Sequence, residues 1–273
     1  MEKQELISVV VVTYNSEKTI LDTLVSIQNQ TYKNIEIVVS DDCSEDKTLE
    51  IVYDYARRNE NVIIVPGEEN RGVAANVNKG LRAANGKLFK SIAGDDMLEP
   101  FAIEVFRKYY EEDVIMISDF TVFGDESSET MENVKKYFSQ MLFFYNLPQK
   151  KQRKVLAKQC PVCGPGLGLL SSALLEKVGY YSEKYKYMED HPFYMKCADY
   201  GICFKYIDKK LVRYRVSRSS LSGSFNKKSY ECARQFFFEE RWKHLLKNVQ
   251  IFSLFKDMAY YAKYDLLIQF NKI

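Results

Sequence analysis

The chain has 273 residues, and several absences bound what it can be. It has no uninterrupted apolar run long enough to cross a bilayer, so no transmembrane segment is expected. Its opening residues, Met1-Glu2-Lys3-Gln4-Glu5, lack the apolar core of a signal peptide, and a cytoplasmic protein is expected. The net charge is only +2, which gives no global field to attract nucleic acid. No GxGxxG follows the first apolar run and no GxxxxGK[ST] occurs anywhere, which argues against a dinucleotide oxidoreductase and a P-loop enzyme. Histidine is nearly missing: His191 has only His244 for company, so a structural role is favoured over metal ligation. There is no internal repeat and no low-complexity segment. The six cysteines are most simply free thiols. Cys160-Pro161-Val162-Cys163 is a CxxC, but a zinc site wants a second close pair, and Cys197 and Cys203 are too far apart to supply it.

What is present is an alternation of strand and helix over the first ~118 residues. Residues 6–12 are almost all apolar and β-branched, as in a strand buried on both faces. Ser16 is placed to cap a helix over residues 17–29. Strands are expected at 35–39, 62–65, 88–92 and 114–118, with a helix at about 46–58, another that Asn70-Arg71-Gly72 leads into and that runs to about Ala84, and a third opening at Glu99-Pro100. Such a pattern predicts an α/β fold with a mostly parallel central sheet flanked by helices. Ligands of these folds bind outside the carboxyl ends of the strands. The polar groups expected there are Thr13-Tyr14-Asn15, Asp41-Asp42 and Asp95-Asp96. A carboxylate pair at a strand end suits a hard divalent cation, and that cation suits a diphosphate.

The second half is less regular. Residues 130–158 read as helical, with a basic run at Lys150, Lys151, Arg153, Lys154 and Lys158. Gly164-Pro165-Gly166-Leu167-Gly168 is a loop able to approach a ligand closely. Residues 171–178 suit a short helix, a second helix runs to about Tyr200 after Met188-Glu189-Asp190-His191-Pro192, and 202–216 suit strands with turns. Residues 226–273 read as a helical C-terminal extension, rich in phenylalanine, tyrosine and lysine.

Taken in order, these segments resemble the family 2 glycosyltransferases of the GT-A fold. Ser8-Val9-Val10-Val11-Val12-Thr13-Tyr14-Asn15 resembles the first strand and nucleotide loop of that family. Ser26-Ile27-Gln28-Asn29-Gln30-Thr31 is similar to its S-I-x-x-Q-T segment, and residues 37–48 to its V-D-D-x-S-x-D-x-T block. Asn70-Arg71-Gly72 with Asn78 and Gly80 resembles the N-x-G…N-x-G helix entry. Gly94-Asp95-Asp96 falls at the metal-binding D-x-D position, and Glu189-Asp190 resembles the E-D motif that supplies the base. The match covers residues 6–222 or so, and the ordered series is far more specific than any one piece.

The resemblance implies an inverting, metal-assisted transfer of a sugar from a nucleotide-diphosphate sugar, UDP by family habit, to a saccharide or lipid-linked acceptor in surface polysaccharide or glycoconjugate synthesis. It places Thr13, Tyr14, Asn15 and Glu17 around the base and ribose, and Asp42 on the base's ring N–H. Arg71, Gly72 and Asn78 fall on the donor side, Asp95 near the ribose and phosphates, and Asp96 on Mn²⁺ or Mg²⁺. Asp190 is the implied catalytic base, with Gly166, Leu167, Gly168 and Glu189 on the acceptor side. It divides the chain into a GT-A domain at 1–225, with a nucleotide-sugar half at 1–118 and an acceptor half at 119–225, and an extension at 226–273. Two positions depart from the pattern. Val77 stands where the family often has Arg, and Tyr214-Arg215-Val216 is followed by Ser217 where it often has His, which leaves Arg215 or Arg218 to reach phosphate.

Simpler readings stand beside these. Asp41, Asp42, Ser44 and Asp46 serve equally as turn and helix-start residues. Glu189-Asp190 suits a helix N-terminus by charge alone. The basic run is either a solvated face or a contact for an anionic headgroup or diphosphate. The extension either packs back on the catalytic domain or docks peripherally on the inner face of the cell membrane. The competing functions are a non-catalytic nucleotide-sugar-binding module, against which both Asp96 and Asp190 count, and a sugar nucleotidyltransferase, which would carry a Gly- and Arg-rich loop after the first strand.

Overall fold

The computed structural model describes residues 4–124, 128–162, 164–216 and 227–269. The chain begins with β1 (Ile7–Thr13), α1 (Ile20–Gln28), β2 (Ile35–Asp41), α2 (Thr48–Ala56), β3 (Val62–Val65), α3 (Val73–Ala83) and β4 (Leu88–Ala93). It continues through β5 (Met97–Leu98), α4 (Ala102–Tyr109), β6 (Val114–Gly124), α5 (Ser128–Ser139), a 3₁₀ turn at Leu142–Asn146, and α6 (Gln149–Lys158). Then come β7 (Leu170–Ser171), α7 (Ser172–Val178), α8 (Asp190–Asp199) and β8 (Cys203–Val216). The extension holds α9 (Lys227–Phe236), a π-turn at Phe237–Arg241, α10 (Trp242–Lys247) and α11 (Ile251–Gln269).

β1 forms because four consecutive β-branched valines follow Ile7-Ser8, and a strand covered on both faces needs no polar alternation. Ile7, Val9, Val10 and Val11 are all fully buried. The central sheet has the order β3-β2-β1-β4-β7, parallel except for β7, which closes the β4 edge antiparallel through Phe89 and Leu170. In register, Thr13 lies beside Asp41 and Val12 beside Ala93. The chain therefore leaves β1, β2 and β4 on one rim, as an α/β sheet requires for a ligand site.

The strand expected at 114–118 is present but does not join that sheet. It extends to Gly124 and pairs in parallel with β8, in a separate sheet of order β5-β8-β6. β7 already occupies the β4 edge, so the next long strand finds its partner elsewhere. The alternation Phe120 buried, Thr121 half-buried, Val122 buried carries β6 past its predicted end. The region expected as one helix over 130–158 is split: α5 ends at Ser139, and Pro148, which cannot donate to a preceding turn, separates the 3₁₀ turn from α6. α1 starts at Ile20, three residues later than expected, because the Ser16 hydroxyl turns to the Tyr14 carbonyl and makes no cap. One large apolar cluster runs through both sheets and α1–α8, and Ala157 of α6 packs under the extension with Tyr230, Phe237, Leu245 and Tyr261.

Candidate active site

The loops after β1 and β2 are stitched together by side chains singled out in the sequence. Asn15, at φ 50°, donates its amide to Ser44 Oγ at 2.8 Å, and its Oδ1 accepts from Glu45 N at 2.8 Å. Glu17 donates its amide to Asp46 at 3.0 Å and accepts from Lys47 N at 3.2 Å. Thr13 is buried against Gly94, with its backbone carbonyl accepting from Asp42 N and Asn76 Nδ2. Tyr14 projects from this stitched loop and is 45% exposed. Asp41 accepts from Ser44 through both carboxylate oxygens, the turn role anticipated for it.

Asp42 is turned to the protein. Its Oδ1 accepts from Arg71 N at 2.9 Å and its Oδ2 from Gly72 N at 2.8 Å, so this buried carboxylate tethers the entry of α3 to the end of β2. Gly72 has φ +89°, and a Cβ there would stand 2.6 Å from Lys186 Cγ and 2.9 Å from Lys186 O. Only glycine fits that crossing. The Arg71 side chain pairs with Glu183 at 3.0 Å. Asn78, assigned to the donor side by resemblance, is buried, and its carboxamide is fully engaged: Nδ2 donates to Tyr181 O and Glu183 Oε1, and Oδ1 accepts from Tyr181 N. It has no donor left for a ligand and serves to pin the segment at 181–183 onto α3.

Asp95 and Asp96 lie on the turn between β4 and β5. Asp96 Oδ1 accepts from Arg215 N at 2.9 Å, its backbone carbonyl accepts from Thr23 Oγ1 at 2.7 Å, and Asp95 O accepts from Arg215 Nε at 2.9 Å. Arg215 also reaches Asp22 at 3.1 Å and lies over the Phe123 ring. Arg215 thus braces the carboxylate turn from β8, where the sequence suggested a phosphate contact; Ser217 and Arg218 lie outside the described residues. Burial pushes Asp96 up to about 8, with the Asp95 charge adding to the rise, and burial also raises Asp95. Beneath them the fully buried Lys90 donates to Ser91 O at 2.7 Å, and burial lowers it to about 7 against the pull of Asp96. Lys90 was missed in the sequence, although a lysine inside an otherwise apolar strand is a visible signal.

Asp96 lines a cavity of about 620 Å³ together with Leu167, Glu189 and Asp190. Tyr137, Phe138, Tyr181, Tyr187 and Tyr214 supply an aromatic wall, the kind of surface sugars stack against. Asp190, the first residue of α8, is half-buried at the cavity; its partial burial and the Glu189 charge beside it raise it well above the ordinary carboxylate range, and burial raises Glu189 likewise. The buried Tyr194 hydroxyl, which has no ordinary hydrogen-bond partner among the described residues, sits close enough to Asp190 to oppose that rise. A Cβ on Gly164 would stand 3.2 Å from Asp190 Oδ2, so this glycine is the one that approaches the carboxylate. Gly166 and Gly168 were expected to floor the acceptor side, but they face β6: added Cβ atoms would stand 2.2 Å from Ser118 O and 2.8 Å from Met116 O. Close backbone packing explains both glycines, and Leu167 between them is what reaches the cavity. His191 bonds Leu156 O through Nε2 at 2.6 Å, and burial lowers it to about 4, so it is neutral and structural. Cys160 lies at the cavity, and Cys163 of the CxxC is outside the described residues.

The donor set at Asp95-Asp96 suits a hard cation: two neighbouring carboxylates, Asp96 buried and Asp95 half-buried, both raised in pKa, gain from a positive charge beside them. Among the described residues no group of three or more His, Cys, Asp or Glu could hold an ion alone. The residues therefore fit an ion that a diphosphate helps to hold, the usual arrangement when few protein carboxylates are present.

A mostly parallel sheet whose β4 ends in a carboxylate pair, with a second sheet beside it, is the arrangement of the GT-A fold. Solved structures share that fold. Residues 1–349 of S. aureus TarS in complex with UDP-GlcNAc match with a TM-score of 0.63 at 23% identity, over 88% of this chain and 66% of that one. The chain spans 43% of the longer TarS structure. The mannosyltransferase PcManGT from Pyrobaculum calidifontis, in complex with GDP-Man and Mn²⁺, matches with a TM-score of 0.62 at 18% identity, over 91% and 74%. The chain belongs to glycosyl transferase family 2, whose model matches residues 8–179. An uncharacterized glycosyltransferase of Methanocaldococcus jannaschii is 29% identical over 259 residues, 92% of this chain and 85% of that protein. Another from Haemophilus influenzae is 26% identical over 250 residues, 86% and 73%.

Proposed function

We propose that the chain moves a sugar from a nucleoside-diphosphate sugar, UDP foremost, to a hydroxyl of a saccharide or lipid-linked acceptor with inversion at the anomeric carbon. The observation that carries this reading is the meeting of Asp96 and Asp190 on one aromatic-walled cavity. Tyr14 and the loop held by Asn15 and Glu17 border the base and ribose, and Asp95 and Asp96 face the diphosphate. Asp96 holds the divalent ion, whose chemistry is to neutralise charge on the departing nucleoside diphosphate. Asp190 accepts the proton of the attacking hydroxyl. Its raised pKa makes it a stronger base than an ordinary carboxylate once ionised, and general-base assistance is typically worth about 10²–10⁴-fold. Leu167 and the tyrosines line the cavity around Asp190 and keep it beside the bound acceptor.

The test is release of nucleoside diphosphate from a panel of UDP-, GDP- and dTDP-sugars with Mn²⁺ or Mg²⁺, water serving as the acceptor, with the anomeric configuration of the freed sugar read by NMR. Metal-dependent release with inverted configuration supports the reading. Retained configuration, or no metal-dependent binding of any of these donors by calorimetry, overturns it.

A further inference from the structure

The basic run on α6 and the aromatic stretch of the extension are far apart in sequence, and the fold brings them together. Gln250 Nε2 donates to Lys154 O at 2.9 Å and Arg241 Nε to Ala157 O at 3.1 Å, so α10 and the start of α11 lie against α6. At 100° per residue, Lys150 and Lys154 follow directly around α6 from Ala157, the residue packed beneath the extension.

α11 has two unlike apolar faces. Leu254, Tyr261 and Tyr264 turn inward onto Phe237, Leu245 and Tyr230. Ile251, Phe252, Phe255 and Met258 form a second stripe, within an arc of about 120° on the helical wheel, and all four are exposed. Phe252 is 83% exposed and Phe255 63%. At the turn before them Val249 is 80% exposed and holds φ 56°, a conformation that costs a β-branched residue energy. That conformation belongs to the left-handed cap that ends α10, where Val249 N donates to Leu246 O at 2.9 Å and Gln250 N to Leu245 O at 2.8 Å; the cap leaves the apolar side chain outward, unburied in this chain.

The charges around this stripe have one sign. The acids of α11, Asp257 and Asp265, are tied to Arg241 and Arg234. Lys256 edges the stripe, exposed Lys243 and Lys247 lie on α10, and Lys150, Lys151 and Lys154 lie on the adjoining helix. No helix among the described residues is long and apolar enough to cross a membrane. An apolar stripe edged by lysines suits insertion at a headgroup boundary with anionic lipid around it.

We propose that the face formed by the outer stripe of α11, the Val249 turn and the lysines of α6 and α10 is a docking surface for an anionic lipid bilayer. Its occupant is a membrane surface and not a second copy, because a copy would bring the same lysines against these lysines. The inference does not depend on the donor or on the role of Asp190.

The experiment is co-sedimentation of the full chain with vesicles of phosphatidylcholine alone and of phosphatidylcholine with phosphatidylglycerol. Three proteins are compared: wild type, Phe252→Ser/Phe255→Ser and Lys150→Gln/Lys154→Gln. All substituted side chains are exposed, and circular dichroism with nucleotide-diphosphate release confirms that each variant is folded and active. Wild type should bind the anionic vesicles and lose binding as salt rises. The phenylalanine variant should bind at least tenfold more weakly, and each lysine removed should cost roughly fivefold. Equal partitioning of all three proteins overturns the proposal. So does a concentration-dependent dimer in light scattering that the phenylalanine changes dissolve while vesicles stay unbound; that result assigns the face to a second copy.

Discussion

Replacing Asp42 separates a structural carboxylate from a ligand-binding one. The resemblance gives Asp42 to the nucleobase, while the structure shows both its oxygens accepting backbone N–H groups, from Arg71 at 2.9 Å and Gly72 at 2.8 Å. A hydrogen bond to a charged acceptor is worth about 1.5–3 kcal/mol. Two such bonds lie partly in reach of solvent, so the lower end applies, and Asp42→Ala should cost about 3 kcal/mol. Asp42→Asn keeps one acceptor and sets an NH₂ against the other amide, at a cost of about 2 kcal/mol. For a protein of this size 1 kcal/mol moves the melting temperature by about 2–4 °C, which gives a drop of roughly 6–12 °C for alanine and 4–8 °C for asparagine. The assay is thermal unfolding by circular dichroism with no nucleotide or metal, followed by UDP titration of each variant. Stability and nucleotide affinity should fall together, because the loop that carries Arg71 and Gly72 comes loose. Melting within about 2 °C of wild type, with nucleotide affinity abolished, would refute the tether and return Asp42 to the base alone.

Asp190→Asn should lower turnover by about 10²–10⁴-fold while leaving UDP affinity within about twofold, measured by release assay and calorimetry. The pH profile follows from the sign of its shift. The raised pKa keeps Asp190 protonated and unable to accept a proton well above the ordinary carboxylate range near 4, so kcat/KM should climb with pH through the neutral region, and the climb should vanish in Asp190→Asn. By the same linkage the native state is penalised as pH rises through that folded pKa, so Asp190→Asn should melt above wild type at alkaline pH and not at pH 4. Asn78→Ala should lower the denaturant midpoint by an amount equal to about 2–4 kcal/mol, since it strands the buried Tyr181 amide and carbonyl, with the KM for donor unchanged. Gly72→Ala should cost about 2–3 kcal/mol in the same measurement, from a positive φ and the Lys186 backbone in its way.

The strands of the nucleotide half were legible because their cause is local. The runs at Ile7 and Ile35 are buried on both faces, and the four-residue strand at Val62 begins and ends as expected. The carboxylate pair after β4 was legible for the same reason, since a polar break after an apolar run marks the strand end. What could not be read was set by long-range pairing. β6 had no local sign that its partner was β8, because the claim of β7 on the β4 edge involves only Leu170 and Ser171. The glycines at 166 and 168 looked like ligand-approach glycines, and only the position of β6 shows that they make room for its carbonyls. Asn78 was assigned to the donor side by resemblance, and only the fold shows its carboxamide engaged with Tyr181 and Glu183. Lys90 and Gly164 owe their importance to the neighbours the fold gives them.

The central claim is that Asp96 on this cavity is where a divalent ion and a nucleoside diphosphate meet. Its most direct test is a thermal shift of wild type and Asp96→Asn with UDP, GDP and dTDP, each with and without Mn²⁺. The account predicts that one nucleotide stabilises wild type by about 2.7 kcal/mol at a hundredfold excess over its dissociation constant, only when Mn²⁺ is present, and that Asp96→Asn loses this gain. An equal shift without metal, or an undiminished one in Asp96→Asn, would contradict it.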